Sequence, residues 1–374
     1  MGLWMVATGF GTCSITLHLC SYITQILKVS QSEQIRQLSI SPNGHLLAVA
    51  TSHTVQIAVL PDSSHLNADS NKPIKPKAFT IGPATHVLSQ APIASILWHP
   101  LGESRSCLVT VTTDAVVRLW EFNVDNRWSA SEPSLAIDLK KLVVGQSEEE
   151  NFAPKSNGKN KVFSSDAIGL EVASASFGGT GSSDEAAWSA MTLWLAMSGG
   201  DVYALCPLLP SKWQPCSTLI PSLSTAIVAK AASFEEETSS NLSEICQSDD
   251  QYQWISDLDG QDPVHVAGER ETSPEVEVYK RPNKPGPVPR LQGPYQIIPE
   301  DSDHDLELSD IHVIAAKVNQ GDLIDDDSDN ESDFEDEKGL SSSVVCLMTR
   351  SGRVYVCLDL EGVQAQWLPR KKVR

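Results

Sequence analysis

The sequence is short of cations. Its 374 residues carry 28 Lys and Arg against 48 Asp and Glu, a formal net charge of −20. A nucleic-acid surface must replace condensed counterions with Lys and Arg, so direct DNA or RNA binding is excluded. Close cysteine pairs are missing as well: the eight cysteines, at 13, 20, 107, 206, 216, 246, 346 and 357, contain no C-x-x-C spacing. Cys107, Cys346 and Cys357 instead alternate with apolar residues in strand-like runs, which predicts free, buried thiols in a reducing compartment. A continuous apolar span is also lacking. Gly2–Leu27 holds no charged side chain apart from His18, yet Ser14, Thr16, His18, Ser21, Thr24 and Gln25 interrupt it with the period of a strand. No basic region precedes it, so strands are expected here rather than a signal peptide or a membrane insertion.

Catalytic signatures are equally scarce. The chain has no G-x-S-x-G elbow, no Walker P-loop, no G-x-G-x-x-G behind a strand and no H-E-x-x-H. Gly178, Gly179 and Gly181 lie in a serine-rich stretch without the lysine or strand–helix context of a phosphate cradle, so they are read as linker. Asp325, Asp327 and Asp329 occupy the first three ligand positions of a calcium loop, but Asn330 fills its glycine position and Asp336 its twelfth, which indicates a solvated acidic run. His99, between a Trp and a Pro at a strand end, suits a histidine that ties down a turn better than a general base. The sequence therefore implies no enzyme, no cofactor and no metal.

Short strands are what the chain does contain. Ile93–His99, Cys107–Thr113 and Val116–Phe122 are rich in Val, Ile, Leu, Thr and Trp and are separated by turn residues at Pro100–Gly102 and Asp114–Ala115. This is a three-stranded meander with the marks of a propeller blade: Trp98, His99 and Pro100 end the inner strand, Asp114 sits in the tight turn, and Trp120 closes the outward strand. Ile35, Leu38, Pro42 and Gly44 repeat the spacing of Ile93, Ile96, Pro100 and Gly102, and Leu46–Leu60 supplies two more strands. Leu193–Leu205 and Leu347–Leu358 each give strand, glycine turn, strand, with Gly200, Val202 and Tyr203 matching Gly352, Val354 and Tyr355. The equivalent valines Val55, Val116, Val202 and Val354 are unevenly spaced, so long insertions separate the later blades.

The predicted fold is all-β, a WD40-like β-propeller with long disordered acidic insertions. Its parts are an N-terminal segment of unassigned structure (1–32), blades one and two (33–123), an insertion (124–190), a further blade (191–233), a disordered acidic insertion (234–340), a last blade (341–369) and a basic tail (370–374). Asp62–Pro92 is expected as a loop, kept extended by the prolines of Lys72–Lys77. Leu135–Gly145 looks amphipathic, and Leu306–Val318 suits a strand or a recognition segment. Nine of the 13 residues of Asp325–Glu337 are acidic, too polar to offset their ordering entropy. Excision of Phe234–Leu340 is accordingly expected to leave the fold intact. Ser328 and Ser332 each precede an acid by three residues, a context for acidophilic kinases; phosphorylation and an unmodified polar spacer both remain open. The basic end, Pro369–Arg374, is taken as a solvated tail rather than an import signal.

These residues together resemble a family. IRQLSISPNGHLLAVATSHTVQIAVLP, SILWHPLG, LVTVTTDAVVRLWEFN and GLSSSVVCLMTRSGRVYVCLDLEGVQAQWLP are similar to the fungal members of the nucleoporin eighty-two/eighty-eight family. The resemblance covers Glu33–Asn123 and the islands Leu193–Pro210 and Ser341–Pro369. It implies a seven-bladed propeller, followed in the family by coiled coil, at the cytoplasmic face of the nuclear pore complex. It further implies a nonenzymatic scaffold in messenger RNA export, whose partners are a filament nucleoporin tail and the autoproteolytic domain of a phenylalanine-glycine nucleoporin. Four blade frames are visible here and no heptads, so the propeller is expected to be incomplete in this chain. The alternative is a WD-type adaptor in another assembly, in ribosome biogenesis or a vesicle coat.

Overall fold

The computed structural model describes residues 2–6, 13–20, 23–29, 33–61, 74–122, 130–143, 170–179, 188–236, 242–266, 275–295, 307–317, 341–359 and 362–368. The chain divides into two compact units, Met1–His99 with Ser104–Ala136, and Pro100–Glu103 with Ile137–Arg374.

Unit 1 is built from antiparallel meanders. β1 (Gly2–Val6), β2 (Cys13–Cys20) and β3 (Ile23–Val29) pair in chain order, Gly2 opposite His18 and Cys13 opposite Val29. The uncharged N-terminus thus has strand backbone, and among the described residues no helix is long and apolar enough to cross a membrane. β4 (Gln37–Ile40), β5 (Leu46–Ala50), β6 (Val55–Val59) and β7 (Ala78–Ile81) form a four-stranded sheet in that order. β8 (Ile93–Trp98), β9 (Cys107–Thr112), β10 (Val116–Glu121) and β11 (Leu135–Asp138) form another. All six residues of β9 are buried, which is why its sequence, CLVTVT, runs apolar and β-branched without a solvent face.

The two four-stranded sheets meet through their first strands. The Gln37 amide reproduces a ladder step: its Nε2 donates to the Ile96 carbonyl at 3.0 Å, and its Oε1 accepts the Ile96 N–H at 2.8 Å. Trp98 Nε1 donates to the Ser39 carbonyl at 3.1 Å. Between the sheets Ile57, Ile81, Ile96, Leu108 and Trp120 are buried in one cluster.

Trp120 is the centre of that cluster. Its Nε1 donates to Thr110 Oγ1 at 2.9 Å on the neighbouring strand. Over it lies Gly82 in the left-handed region (φ 45°), so close that a Cβ there would stand 2.3 Å from Trp120 Cη2; only glycine fits. Gly82 starts α1 (Pro83–Ser89), with Pro83 preorganising the first turn, and α1 brings the His86 ring to 5.3 Å from the indole. The histidine beside the blade tryptophan is therefore His86, from a stretch expected to be only loop. Asp62–Pro92 in fact holds both β7 and α1. His99 is buried, and its backbone N–H donates to the Cys107 carbonyl at 2.8 Å across the β8–β9 turn.

Burial, reinforced by the Arg118 charge, lowers the His86 pKa from 6.5 to about 4. The unfolded chain then binds a proton that the folded chain refuses. Stability is fully present above pH 6.5 and is lost as pH falls from 6.5 towards 4, by up to about 3 kcal/mol. Urea midpoints recorded between pH 7 and pH 4 should fall across this window in the parent and much less in His86→Phe. Parallel curves for the two would refute the assignment.

Unit 2 begins with β12 (Val172–Phe177), β13 (Leu193–Met197) and β14 (Val202–Leu205), whose fourth strand, β18 (Leu291–Tyr295), arrives only after a long excursion. That excursion contains β15 (Lys212–Trp213), α2 (Leu219–Glu236), α3 (Leu242–Asp259), β16 (Val264–Val266) and β17 (Val276–Lys280). Leu219, Leu223 and Ile227 recur every four residues on α2, and Gln251, Trp254, Ile255 and Leu258 share one face of α3. These faces enclose Trp213, whose ring centroid is 6.3 Å from that of Trp254. β19 (Leu308–Lys317), β20 (Ser341–Thr349) and β21 (Val354–Asp359) complete the unit as a three-stranded sheet. The segment 234–340, expected to be a disordered acidic insertion, thus carries α3 and four strands, and 124–190 carries β11 and β12. Asp325–Glu337, with Ser328 and Ser332, and the tail 370–374 lie outside the described residues.

Candidate docking surface

The sequence-predicted blade markers fall at strand ends and turns. Val55, Val116, Val202 and Val354 each open the third strand of their sheet. The turns before three of them contain a left-handed residue: Ala115 (φ 67°) beside Asp114, Gly200 (φ 107°) and Gly352 (φ 84°). Asp114 Oδ1 accepts the Thr112 hydroxyl at 2.5 Å, closing the turn from within. Trp98 ends β8, Pro100 follows in the turn, and Tyr203 is buried in β14. These markers are distributed over several sheets.

Among the described residues no His, Cys, Asp and Glu side chains form a group of three able to hold a metal. Burial pushes the Cys107 thiol well above its ordinary range and Cys206 up to about 12, leaving both unreactive. Cys346 and Cys357 are half-buried, while Cys216 and Cys246 are exposed. Buried thiols, as expected, apply to only part of the set.

An apolar surface is present instead, on the β19–β21 sheet. Ile311 and Val313 of β19 and Val345 and Leu347 of β20 are buried against Trp194, Ala196, Val202 and Ala204 of the preceding sheet. Tyr355 of β21 packs on the same side. Polar contacts support this packing: the Ser174 hydroxyl donates to Asp310 Oδ1 at 2.5 Å, and the Val313 N–H donates to Ser176 Oγ at 3.2 Å. Because successive side chains alternate across a sheet, the intervening residues form the opposite face. There Ile314, Met348, Val354, Val356 and Leu358 are exposed by 47%, 45%, 56%, 65% and 57%. The registers Met348↔Val354 and Val344↔Leu358 place them side by side rather than scattered. A contiguous exposed apolar sheet face is one that a neighbouring blade or a partner covers. Sequence reasoning placed β20 and β21 and missed this face, since which side of a strand is covered depends on what packs there.

Comparison with known proteins gives this architecture a context. The family profile described as the nucleoporin NUP82 β-propeller matches residues 18–374. Nucleoporin NUP82 of Chaetomium thermophilum is 48% identical over 350 residues, which are 92% of this chain and 39% of that protein. In the crystal structure of the C. thermophilum heterotrimeric Nup82 NTD–Nup159 TAIL–Nup145N APD complex, the similar chain superposes with a TM-score of 0.76 at 46% identity; 94% of this chain and 62% of that chain are covered. The yeast heterotrimeric Nup82–Nup159–Nup116 nucleoporin complex gives a TM-score of 0.56 at 15% identity, covering 98% and 71%, which shows a shared fold. The chain spans about two fifths of the curated relative.

Proposed function

Because the chain belongs to the nucleoporin NUP82 β-propeller family, we propose that it is a nonenzymatic scaffold of the nuclear pore complex at its cytoplasmic face, supporting messenger RNA export and protein transport. Its blades dock other nucleoporins: a Nup159-type tail and the autoproteolytic domain of a Nup145N- or Nup116-type protein. The observation that carries this reading is the 46% identity, over 94% of the chain, to a Nup82 structure whose complex contains both kinds of partner. The absence of catalytic motifs from the sequence agrees with a protein that acts by binding.

Affinity capture of the tagged chain from fungal extract, with bound proteins identified by mass spectrometry, tests the proposal. Recovery of a filament nucleoporin together with a phenylalanine-glycine nucleoporin is expected. Recovery of ribosomal or vesicle-coat proteins without nucleoporins would overturn it.

A further inference from the structure

Residues 362–368 follow β21 as irregular chain, apart from a single bridge between Trp367 and Pro289. Yet Ala365 and Trp367 are buried in the cluster around Trp213, and Val363 packs against it, so alternate side chains point inward. The main chain of this segment is held largely by side-chain amides. Gln251 Nε2, from a residue of α3 that is 2% exposed, donates to the Ala365 carbonyl at 2.9 Å. Gln247 Nε2, one turn earlier, donates to the same oxygen at 3.4 Å, and Gln292 Nε2 of β18 donates to the Gln364 carbonyl at 2.8 Å. Two backbone bonds complete the set: the Gln366 N–H donates to the Cys206 carbonyl at 3.0 Å, and the Gln366 carbonyl accepts the Arg290 N–H at 2.8 Å. Main-chain bonds combined with pockets for alternate side chains are the means by which proteins hold extended peptides. The walls of this groove pack on one another directly, through Trp213 of β15, Leu223 and Ile227 of α2, and Trp254 and Leu258 of α3.

We propose that residues 362–368 are an exchangeable strap, which leaves the groove as a unit while α2, α3 and the sheets stay folded, and that the vacated groove takes an extended peptide of the same pattern. The Ala365 position, completely enclosed, suits a small side chain, and the Trp367 position takes an aromatic one two residues later. An apolar residue at the Val363 position completes the pattern. The strap carries no Lys, Arg, Asp or Glu, and a charge at any inward position would be buried without a partner. The ligand is therefore an uncharged apolar-x-small-x-aromatic segment. A segment with no secondary structure of its own, held by side-chain contacts, is the kind that opens locally. The short tether to β21 gives the strap an effective concentration of roughly millimolar, so it keeps the groove closed until a partner segment competes.

A protease site inserted between Leu360 and Glu361 of the whole chain frees the strap without removing it. A fluorescently labelled peptide of residues 362–368 should then bind saturably, with the near-UV circular dichroism of the cut chain unchanged. The uncut chain should bind it at least about tenfold more weakly, since the tethered strap competes. In the peptide, Trp367→Ala should weaken binding about thirtyfold or more, as for a buried aromatic anchor. This change leaves the protein untouched, so its effect is separate from folding. In the chain, Gln251→Leu should weaken binding about tenfold. Loss of the near-UV spectrum on cutting, no saturable binding to the cut chain, equal binding to cut and uncut chain, or a Trp367→Ala peptide that binds like the parent would each overturn the proposal.

Discussion

Excision of Phe234–Leu340 is expected to leave unit 2 unable to fold. The segment contributes Trp254, Ile255 and Leu258, each no more than 2% exposed, to the cluster around Trp213. It also contributes β18, the fourth strand behind β14, and β19, whose Leu308, Ile311 and Val313 are buried against the preceding sheet. Each large apolar side chain removed from a core costs about 2–5 kcal/mol. Six such losses come to about 12–30 kcal/mol, against the roughly 5–15 kcal/mol by which a domain is stable. A smaller excision behaves oppositely. Lys317 and Ser341 are cross-strand neighbours at the end of the β19–β20 ladder, so Asn-Gly can replace residues 318–340 as a tight hairpin turn. Shortening that connection lowers the closure entropy, and stability should be unchanged or higher by up to about 2 kcal/mol. Near-UV circular dichroism and urea midpoints distinguish the two variants. Equal loss of structure in both would mean that residues 318–340 belong to the core.

Trp120→Ala should destabilise unit 1 by about 3–5 kcal/mol. The indole is completely buried, touches both four-stranded sheets' core, and holds Thr110 Oγ1 at 2.9 Å, so its removal opens a cavity and strips a buried hydroxyl of its donor. Gly82→Ala attacks the same contact from the other side. Its Cβ would need the space occupied by Trp120 Cη2, and the left-handed backbone adds strain, so the loss should be of similar size. Leu88→Ala, at a residue 78% exposed, provides the comparison and should shift the urea midpoint by no more than about 0.5 kcal/mol equivalent. Trp120→Ala matching Leu88→Ala would remove the indole from the centre of the blade.

The parts of the fold legible in the sequence are those made by neighbours in the chain. β8, β9 and β10 follow one another with tight turns at Ala115 and its surroundings, and the glycine turns at Gly200 and Gly352 mark two more hairpins. Fourth strands were hidden, because β7, β11 and β18 are short and reach their partners after excursions: AFTI, LAID and LQGPY carry almost no alternation of their own. β12 was hidden by composition. VASASF looks like linker, but Ser174 and Ser176 are buried through hydrogen bonds to the neighbouring β19 rather than by apolarity. α3 was hidden by charge: four acids between Leu242 and Asp257 mask the face that carries Trp254 and Leu258. His86 was missed in favour of His99 because what distinguishes them is the ring's place beside Trp120, which local spacing does not encode. The docking face needed the structure for the same reason.

The central proposal is that this chain presents a folded surface to two nucleoporin partners. The most direct measurement is reconstitution of the purified chain with a Nup159-type tail peptide and a Nup145N- or Nup116-type autoproteolytic domain, followed by light scattering of the eluted species. A stable complex containing one equivalent of each partner for every copy of the chain is the predicted result. Separate elution of all three, with the chain itself folded by near-UV circular dichroism, would contradict the account.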